Sequence, residues 1–396
     1  MRLKVRSIWI RISIKMDAGE KNLNLLLSMV ADHVDLEHGH KVDEQYRKTL
    51  SFSEVDRPPL VVQAPFGSKL ILPEPWNRFH FYRYRETFES PVAMLQNLLL
   101  ERVVPGLLLK DDNPLAIRNN HGTVQIASIL GGKWEIYEDN YPWMKPLDSI
   151  QAIEEIVYSN EGFNLDGGVL SRSIDVLEFY KKKLSEYPPC RDAIQISLPD
   201  LQGPMDTAEQ LWGSSIYYAF SDTPDLLERL LAKIVEAMLV VSEIFRRHTH
   251  DRIDPFANTQ HGYVIPGRLL VRDDSSIMLS PDTYEEFVRP HMARLLHEIG
   301  TGSIHFCGNG EHLISKMLKI RDLRGLDFGD GHLMDINGIY KICSEHKVVI
   351  TNIRPSRDDL ISGKAKRDFP TGIVFTYNPE NFDDAFEVVR AYRSLM

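Results

Sequence analysis

The chain has 396 residues, with 46 Lys or Arg against 56 Asp or Glu, so its formal net charge is −10 with histidine neutral. A charge of this sign argues against nucleic acid or another polyanion as a partner. Hydrophobic residues make up 43% and charged residues 26% of the chain, a globular composition that excludes collagen-like, low-complexity and largely disordered proteins.

The cysteine count predicts a reducing compartment. Cys190, Cys307 and Cys343 are too few for a disulfide framework, and free thiols are typical of cytoplasmic proteins. The most apolar helical stretch, residues 226–245, carries five charged side chains, so we expect no membrane span and no membrane partner. The expected location is the cytoplasm.

The first 54 residues are predicted to form an N-terminal extension. Residues 1–16 mix basic and apolar side chains without the continuous apolar centre or small-residue cleavage site of a secretion signal. Two interpretations remain open: a transit peptide, or a start assigned too early, with Met16 as the initiator. Residues 1–15 therefore do not enter the fold prediction.

Short apolar runs rich in β-branched residues alternate with segments of helical period through the rest of the chain. This order is typical of repeated strand–helix units with a parallel sheet. The predicted strands are residues 60–63, 115–119, 193–198, 268–272, 303–307, 325–328, 348–351 and 372–376.

Signals for helix starts and ends lie between these strands. A capping residue followed by proline occurs at Thr223–Pro224, Ser280–Pro281 and Asn378–Pro379, and Gly300 stands where a left-handed residue would end a helix. Eight strands with intervening helices predict one (β/α)8 barrel over residues 55–396. The long region 122–187 is predicted to be an insertion that covers the barrel mouth.

In such a barrel the reactive side chains lie where strands end, at the carboxyl edge of the sheet. His305 and Cys307 are two positions apart on one predicted strand, so both side chains point to the same face. Imidazole and thiolate are zinc ligands. The alternative is that both residues fill the barrel interior, since free cysteine packs as a small apolar residue.

Acidic residues follow three other predicted strands. They are suited to binding a substrate ammonium, to acting as a general acid, or to orienting a metal ligand. The alternative is that they cap helices or pair with arginine. These residues are Asp200 with Gln202, Asp273 with Asp274, and Asp327 with Asp330.

A cationic and amide cluster ends the second predicted strand. Arg118, Asn120 and His121 have the chemistry to hold a substrate carboxylate or amide. Neighbouring asparagines are equally typical of turns.

The order of the strand-end clusters resembles the uroporphyrinogen decarboxylase superfamily of (β/α)8 barrels, which includes cobalamin-dependent methyltransferases. The resemblance extends from about residue 55 to the end. Its most specific motifs are PDLQGPMDTAEQLWG at residues 199–213, VRDDSSIMLSPDTYEEFVRPHM at 271–292, HFCGNG at 305–310 and NPENFDDAFEVVRAY at 378–392.

The HFCGN sequence is similar to the methyltransferase branch of the superfamily. That resemblance implies that His305 and Cys307 are ligands of a catalytic zinc. It also implies that a zinc-activated thiol acceptor takes a methyl group from a corrinoid, which is either a substrate or is carried by a partner corrinoid protein.

The chain departs from the methyltransferase pattern at the third zinc ligand. The expected cysteine before the terminal Pro-Glu-Asn is replaced in the segment 371–381, TGIVFTYNPEN, by Thr376 and Tyr377. Either another residue completes the site, or the metal is weakly bound or lost. The residues considered are Asp327, Asp330, Glu311, His312 and Tyr377.

The leading hypothesis is a metal-dependent methyltransferase of this superfamily. It assigns catalytic roles to Asp200, Asp273 and Asp327, and zinc binding to His305 and Cys307. The residues expected to bind substrate are Gln202, Arg118, Asn120, His121, Asn309 and Tyr377.

Two alternatives are carried beside it. One is decarboxylation of a tetrapyrrole or another polycarboxylate held by Arg118, Arg272 and Arg354. Against it, residues 60–69 lack the arginine expected near the first strand of authentic uroporphyrinogen decarboxylases. The other is a barrel that binds a corrinoid or tetrapyrrole without catalysis.

Overall fold

A computed structural model of the chain describes residues 2–63, 72–147, 149–159, 162–249 and 255–395. Most of the first-strand segment considered above, residues 64–69, lies outside the described residues. Helices and parallel strands alternate along the described chain. The predicted α/β class is therefore confirmed.

The described residues form thirteen strands, most of them short and fully buried. Their bounds are β1 (Leu60–Val62), β2 (Ala116–Ile117), β3 (Lys133–Ile136), β4 (Pro142–Lys145), β5 (Gln195–Ile196), β6 (Leu201–Gln202), β7 (Ala257–Gln260), β8 (Tyr263–Pro266), β9 (Leu270–Arg272), β10 (Gly302–Phe306), β11 (Leu323–Phe328), β12 (Val349–Ile353) and β13 (Ile373–Tyr377).

Helices precede, follow and separate these strands. Their bounds are α1 (Arg2–His33), α2 (Leu36–Leu50), α3 (Tyr84–Glu89), α4 (Pro91–Leu98), α5 (Val104–Leu109), α6 (Gln125–Ile129), α7 (Ile150–Tyr158), α8 (Leu170–Ser185), α9 (Pro188–Ala193), α10 (Pro204–Trp212), α11 (Ile216–Asp222), α12 (Pro224–Arg246), α13 (Pro281–Thr283), α14 (Arg289–Ile299), α15 (Glu311–Met317), α16 (Ile336–Glu345), α17 (Arg357–Ile361), α18 (Lys364–Asp368) and α19 (Phe382–Arg393).

Seven strands form one parallel sheet in the order β1, β13, β12, β11, β10, β9, β6. The strands β2 and β5 pair in parallel as a second sheet. The predicted strand at residues 193–198 contains β5, and β6 follows it in the same segment. Counted with β5 and β6 as one, the nine parallel strands account for all eight predicted strands. In the described residues no ladder joins β1 to β2. The carboxylates of Asp111 and Asp112 instead accept the backbone N–H groups of Val62 and Leu60. Closure into a barrel stays a prediction.

The register of the sheet places polar residues in one row. Arg272 of β9 pairs with Gln202 on one side and His305 on the other. His305 pairs with Asp327 of β11, which pairs with Thr351 of β12. Residues paired in a parallel ladder point to the same face of the sheet, so strands that are otherwise apolar present a line of polar groups to one side.

An antiparallel hairpin of β7 and β8 packs inside the molecule. Tyr263, Val264 and Ile265 lie in a buried cluster with Val61 of β1 and Val374 of β13. The polar residues of β7 are also buried, and tertiary hydrogen bonds tie two of them to the preceding segment. These bonds join Thr259 to Ser197 and Gln260 to the carbonyl of Leu198. The hairpin turn, His261–Gly262, thereby reaches the polar row.

The N-terminal segment predicted as an extension is mostly helical. Leu23, Leu26, Leu27 and Val30 of α1 are fully buried in the main core, so this helix packs against the rest of the fold. The most apolar helical stretch was expected at residues 226–245, but among the described residues the run Pro91–Leu109 is the one apolar and long enough to cross a membrane. Its most apolar window is 72% buried within the protein, as in a core helix.

Helix capping follows the sequence signals in part: Thr223 lies at the N-cap of α12, but its side chain makes no capping hydrogen bond. Pro224 begins α12, the Ser280 side chain accepts the N–H of Thr283, and Gly300 with φ 111° ends α14. The expected cap of α19 was Asn378, but Asn381 provides it by accepting the N–H of Asp384. Residue 381 lies directly before the first helical turn, where a side-chain oxygen reaches the N–H groups that lack partners.

Candidate metal centre

His305 is the central residue of the polar row. It lies near the carboxyl end of β10, and its side chain is 7% exposed. Its Nδ1 hydrogen bonds to Oδ2 of Asp327 at 2.5 Å. A carboxylate partner on one ring nitrogen fixes the ring and leaves the lone pair of Nε2 available to a metal.

Asp327 is fully buried and makes three hydrogen bonds. Besides His305, its Oδ1 accepts the hydroxyls of Tyr263 at 2.9 Å and Thr351 at 2.5 Å. Burial alone would raise the pKa of Asp327, but its hydrogen bonds, first the one with His305 and then the one from Thr351, hold it well below its usual range. The carboxylate is therefore charged and held in place, which makes it a positioning residue for His305.

Cys307 lies just beyond the end of β10, and its Sγ is 3.4 Å from Nε2 of His305. The structure therefore brings the two predicted ligands together on one face. Cys307 is an exposed residue, whereas Cys190 and Cys343 are buried in the apolar core. Burial of the thiol, followed by the charges of Asp274 and Asp330, raises the pKa of Cys307 to about 11.

Asp274 completes a group of three potential ligands, the one such group of His, Cys, Asp or Glu in the described part of the chain. Its Oδ1 accepts the backbone N–H of Cys307 at 2.6 Å and is 3.9 Å from Nε2 of His305. The three ligand atoms lie within 4.8 Å of one another. Ligand atoms of a tetrahedral zinc are roughly 3.5 Å apart, so the three side chains fit this metal with a small adjustment and leave its fourth position open.

Asp274 was not among the residues considered for the third ligand. The structure gives the surface candidates other partners: Asp330 accepts the N–H of Gly308, Glu311 accepts that of Asp335, and His312 bonds the carbonyl of Leu279. Neighbouring strands provide the signal that identifies Asp274. The observed strands β9 and β10 correspond to two consecutive predicted strands. Asp274 is the second residue after β9, and Cys307 is the first residue after β10.

We expect Cys307 to react slowly with iodoacetamide at neutral pH when no metal is bound. Its pKa lies two units above the ordinary value of 9.0, so its thiolate fraction near pH 7 is about 100-fold lower than that of an ordinary cysteine. Mass spectrometry of the labelled protein over a pH series measures this rate.

Asp274→Asn is the informative variant for this measurement. Removing a negative charge beside the sulfur should lower the pKa of Cys307 and speed its labelling. Cys307→Ser controls for reaction at the buried cysteines. Rapid labelling of the parent at pH 7 would contradict the expected pKa.

Asp200 is not one of the three residues of the metal group. Its two oxygens bind two arginines, Arg118 at 2.6 Å and Arg272 at 2.8 Å. Burial alone would raise the pKa of Asp200, but these two charges hold it well below its usual range. His261, from the tip of the β7–β8 hairpin, contacts the Arg272 guanidinium. Burial and Arg272 hold the pKa of His261 well below its usual range, so its ring is neutral.

A second acidic cluster lies on the other side of Asp274. Asp206 of α10 accepts the backbone N–H groups of Asp274 at 3.1 Å and Ser275 at 2.7 Å. Asp273 is fully buried. Burial, with a contribution from Asp274, raises the pKa of Asp273 to about 7. None of these three carboxylates pairs with a Lys or Arg among the described residues.

The residues predicted to bind substrate divide into two sets. Gln202, Arg118 and Asn120 line cavities near the polar row. The other three make structural contacts. His121 is buried and bonds to Ser173, Asn309 donates to the carbonyl of Leu333, and Tyr377 donates to Asp384 at 2.7 Å. Burial, followed by the charge of Arg172, lowers the pKa of His121 to about 4.

Comparisons with known proteins give a likeness in structure and none in sequence. No protein-family model matches this chain, and no curated protein matches it. The fold is similar to that of a solved "methyltransferase from Methanosarcina mazei", with a TM-score of 0.62 and 14% sequence identity. The match covers 88% of this chain and 98% of that one. At this identity the likeness shows a shared fold.

Proposed function

We propose that this protein is a zinc-dependent enzyme of the uroporphyrinogen decarboxylase superfamily that transfers a methyl group between a corrinoid and a small thiol acceptor. The proposal includes closure of the parallel strands into a (β/α)8 barrel. The observation that carries it is the His305–Cys307–Asp274 group at the carboxyl ends of β9 and β10. The structural likeness to a methyltransferase is consistent with it.

Each residue of the group has a defined task in this proposal. Asp327 orients His305 and sets its tautomer, so that Nε2 faces the ligand position. Asp274 and Cys307 supply negative charge there. Bound zinc would lower the pKa of an acceptor thiol and so provide a nucleophile at neutral pH. Because the metal-free pKa of Cys307 is about 11, the protein thiol itself is a poor nucleophile without a cation.

The decarboxylase alternative needs cations that can bind substrate carboxylates. Two of its three arginines, Arg118 and Arg272, are both paired with Asp200. A substrate carboxylate would have to displace that buried partner. The geometry therefore favours the methyl-transfer proposal over decarboxylation.

Zinc content is the direct test. We expect stoichiometric zinc in protein expressed with zinc and a loss of most of it in His305→Ala and Cys307→Ser, because each change removes one of three ligands. His297→Ala is the matched control, since that histidine is exposed and pairs with Asp322. Elemental analysis makes the measurement. A parent protein without zinc after zinc-supplemented expression would exclude the zinc proposal.

Cobalamin titration separates the remaining alternatives. We expect methylcobalamin to bind and to lose its methyl group to a thiol, which the visible spectrum of the corrinoid reports. Binding without methyl transfer would favour the non-catalytic alternative. Absence of binding would contradict both.

A further inference from the structure

We infer that a cavity beside the metal group binds a small organic cation, so that the substrate placed there carries a positively charged, alkyl-bearing group. The cavity has a volume of about 470 Å³ and lies between the β3–β4 hairpin, α10 and the turn after β9. The inference rests on the proposed function for the chemistry of the substrate, but the binding claim stands on the cavity alone.

The charges that line the cavity all have one sign. Glu209 and Asp274 contribute carboxylates, Asp206 contributes a third acidic side chain, and the described lining contains no Lys, Arg or His. The donors to Glu209 are neutral hydroxyls, those of Ser275 and Tyr217. Asp206 accepts two backbone N–H groups and is 5% exposed. Among the described residues neither Glu209 nor Asp274 pairs with a Lys or Arg, and carboxylates withdrawn from water are ordinarily paired with cations, so a ligand of positive charge would complete this arrangement.

A buried amide with an unpartnered oxygen belongs to the lining of the same cavity. Gln202 is 7% exposed and lines the cavity, yet its Oε1 has no hydrogen-bond partner. An unpaired buried acceptor is costly unless a ligand supplies the donor. Gln202 pairs in register with Arg272, the strand neighbour of His305, so this acceptor lies on the strand next to the metal ligands.

The opposite wall identifies the cation as organic. The β3–β4 hairpin contributes Trp143, whose residue is 71% exposed, and Met144 beside it. An indole beside carboxylates attracts alkylammonium groups through cation–π contact and apolar burial. A bare metal ion would gain nothing from this wall, and a thiol bearing an acidic group would be repelled by the carboxylates.

Choline and its uncharged carbon analogue 3,3-dimethyl-1-butanol test the inference as a matched pair. We expect calorimetry to show choline binding to the full-length protein at least tenfold more tightly than the alcohol. Glu209→Gln and Trp143→Ala should each weaken choline binding by about tenfold or more. Glu228→Gln, an exposed residue on α12, should leave it unchanged.

Three results would overturn the inference: no choline binding, equal binding of the uncharged analogue, or displacement of choline by Mg²⁺ that binds in its place. The measurement is made on both zinc-depleted and zinc-loaded protein. Choline binding to a chain that fails to hold zinc would separate failure of the proposed function from failure of this inference.

Discussion

Replacing Asp327 by asparagine is expected to weaken zinc binding roughly 10- to 100-fold, although Asp327 is not in the ligand group. The asparagine oxygen can keep the hydrogen bonds from Tyr263 and Thr351. Its amide nitrogen then donates to Nδ1 of His305, and this moves the imidazole proton to Nε2. The lone pair that faces the ligand position is lost while the shape of the site is kept.

Competition with a chromogenic chelator measures the zinc affinity of this variant. Thr351→Val is the matched control, because it removes another hydrogen bond to Asp327 and leaves the bond to His305 in place. We expect that control to bind zinc within a few-fold of the parent. An unchanged affinity in Asp327→Asn would show that the carboxylate does not set the tautomer, and the assignment of Nε2 as a ligand would lose its support.

The strands were predictable because burial on both faces leaves a simple signal. The β-branched segments around His305 and Thr351 lie between helix signals, and the observed strands β10 and β12 begin within one residue of their predicted starts. Position near a strand end then sufficed to bring His305 and Cys307 together. This part of the site follows from the two-residue side-chain repeat of a strand.

The rest of the site depends on contacts that sequence spacing does not encode. Thr259 and Gln260 resemble loop residues because they are polar, and the hydrogen bonds that hold them inside the fold go to partners about 60 positions away. The buried hairpin that brings His261 to the polar row was therefore missed. The double pairing of Asp200 with Arg118 and Arg272 was not specified either, because it joins three separate strand ends.

Replacing Asp200 by alanine is expected to destabilise the fold by about 3–5 kcal/mol, the usual cost of leaving a buried charge without its partner. Arg118 and Arg272 are 15% and 10% exposed at their side chains. Both guanidiniums would keep their charge beside a neutral His261. Among the described residues, neither arginine has an ion pair with a second carboxylate. Repulsion between them adds to the cost of burial.

The pH dependence of stability follows from the same carboxylate. The pKa of Asp200 is held below its ordinary value of 3.8 in the fold, so the unfolded chain binds the proton more tightly. Its contribution to stability is therefore complete above that ordinary value and is lost as the pH falls below it. We expect the stability difference between parent and Asp200→Ala to be full at pH 7 and to shrink in acid.

Urea unfolding followed by circular dichroism at several pH values measures both effects. Glu298→Ala is the control, because its pair with Arg294 is about 40% exposed on both sides, and exposed pairs contribute at most about 1 kcal/mol. The more conservative Asp200→Asn should recover part of the loss through hydrogen bonds to one arginine. If Asp200→Ala were as stable as the control at pH 7, another group would have to balance the charges of the two arginines. That result would also restore the decarboxylase alternative, in which these arginines bind a substrate carboxylate.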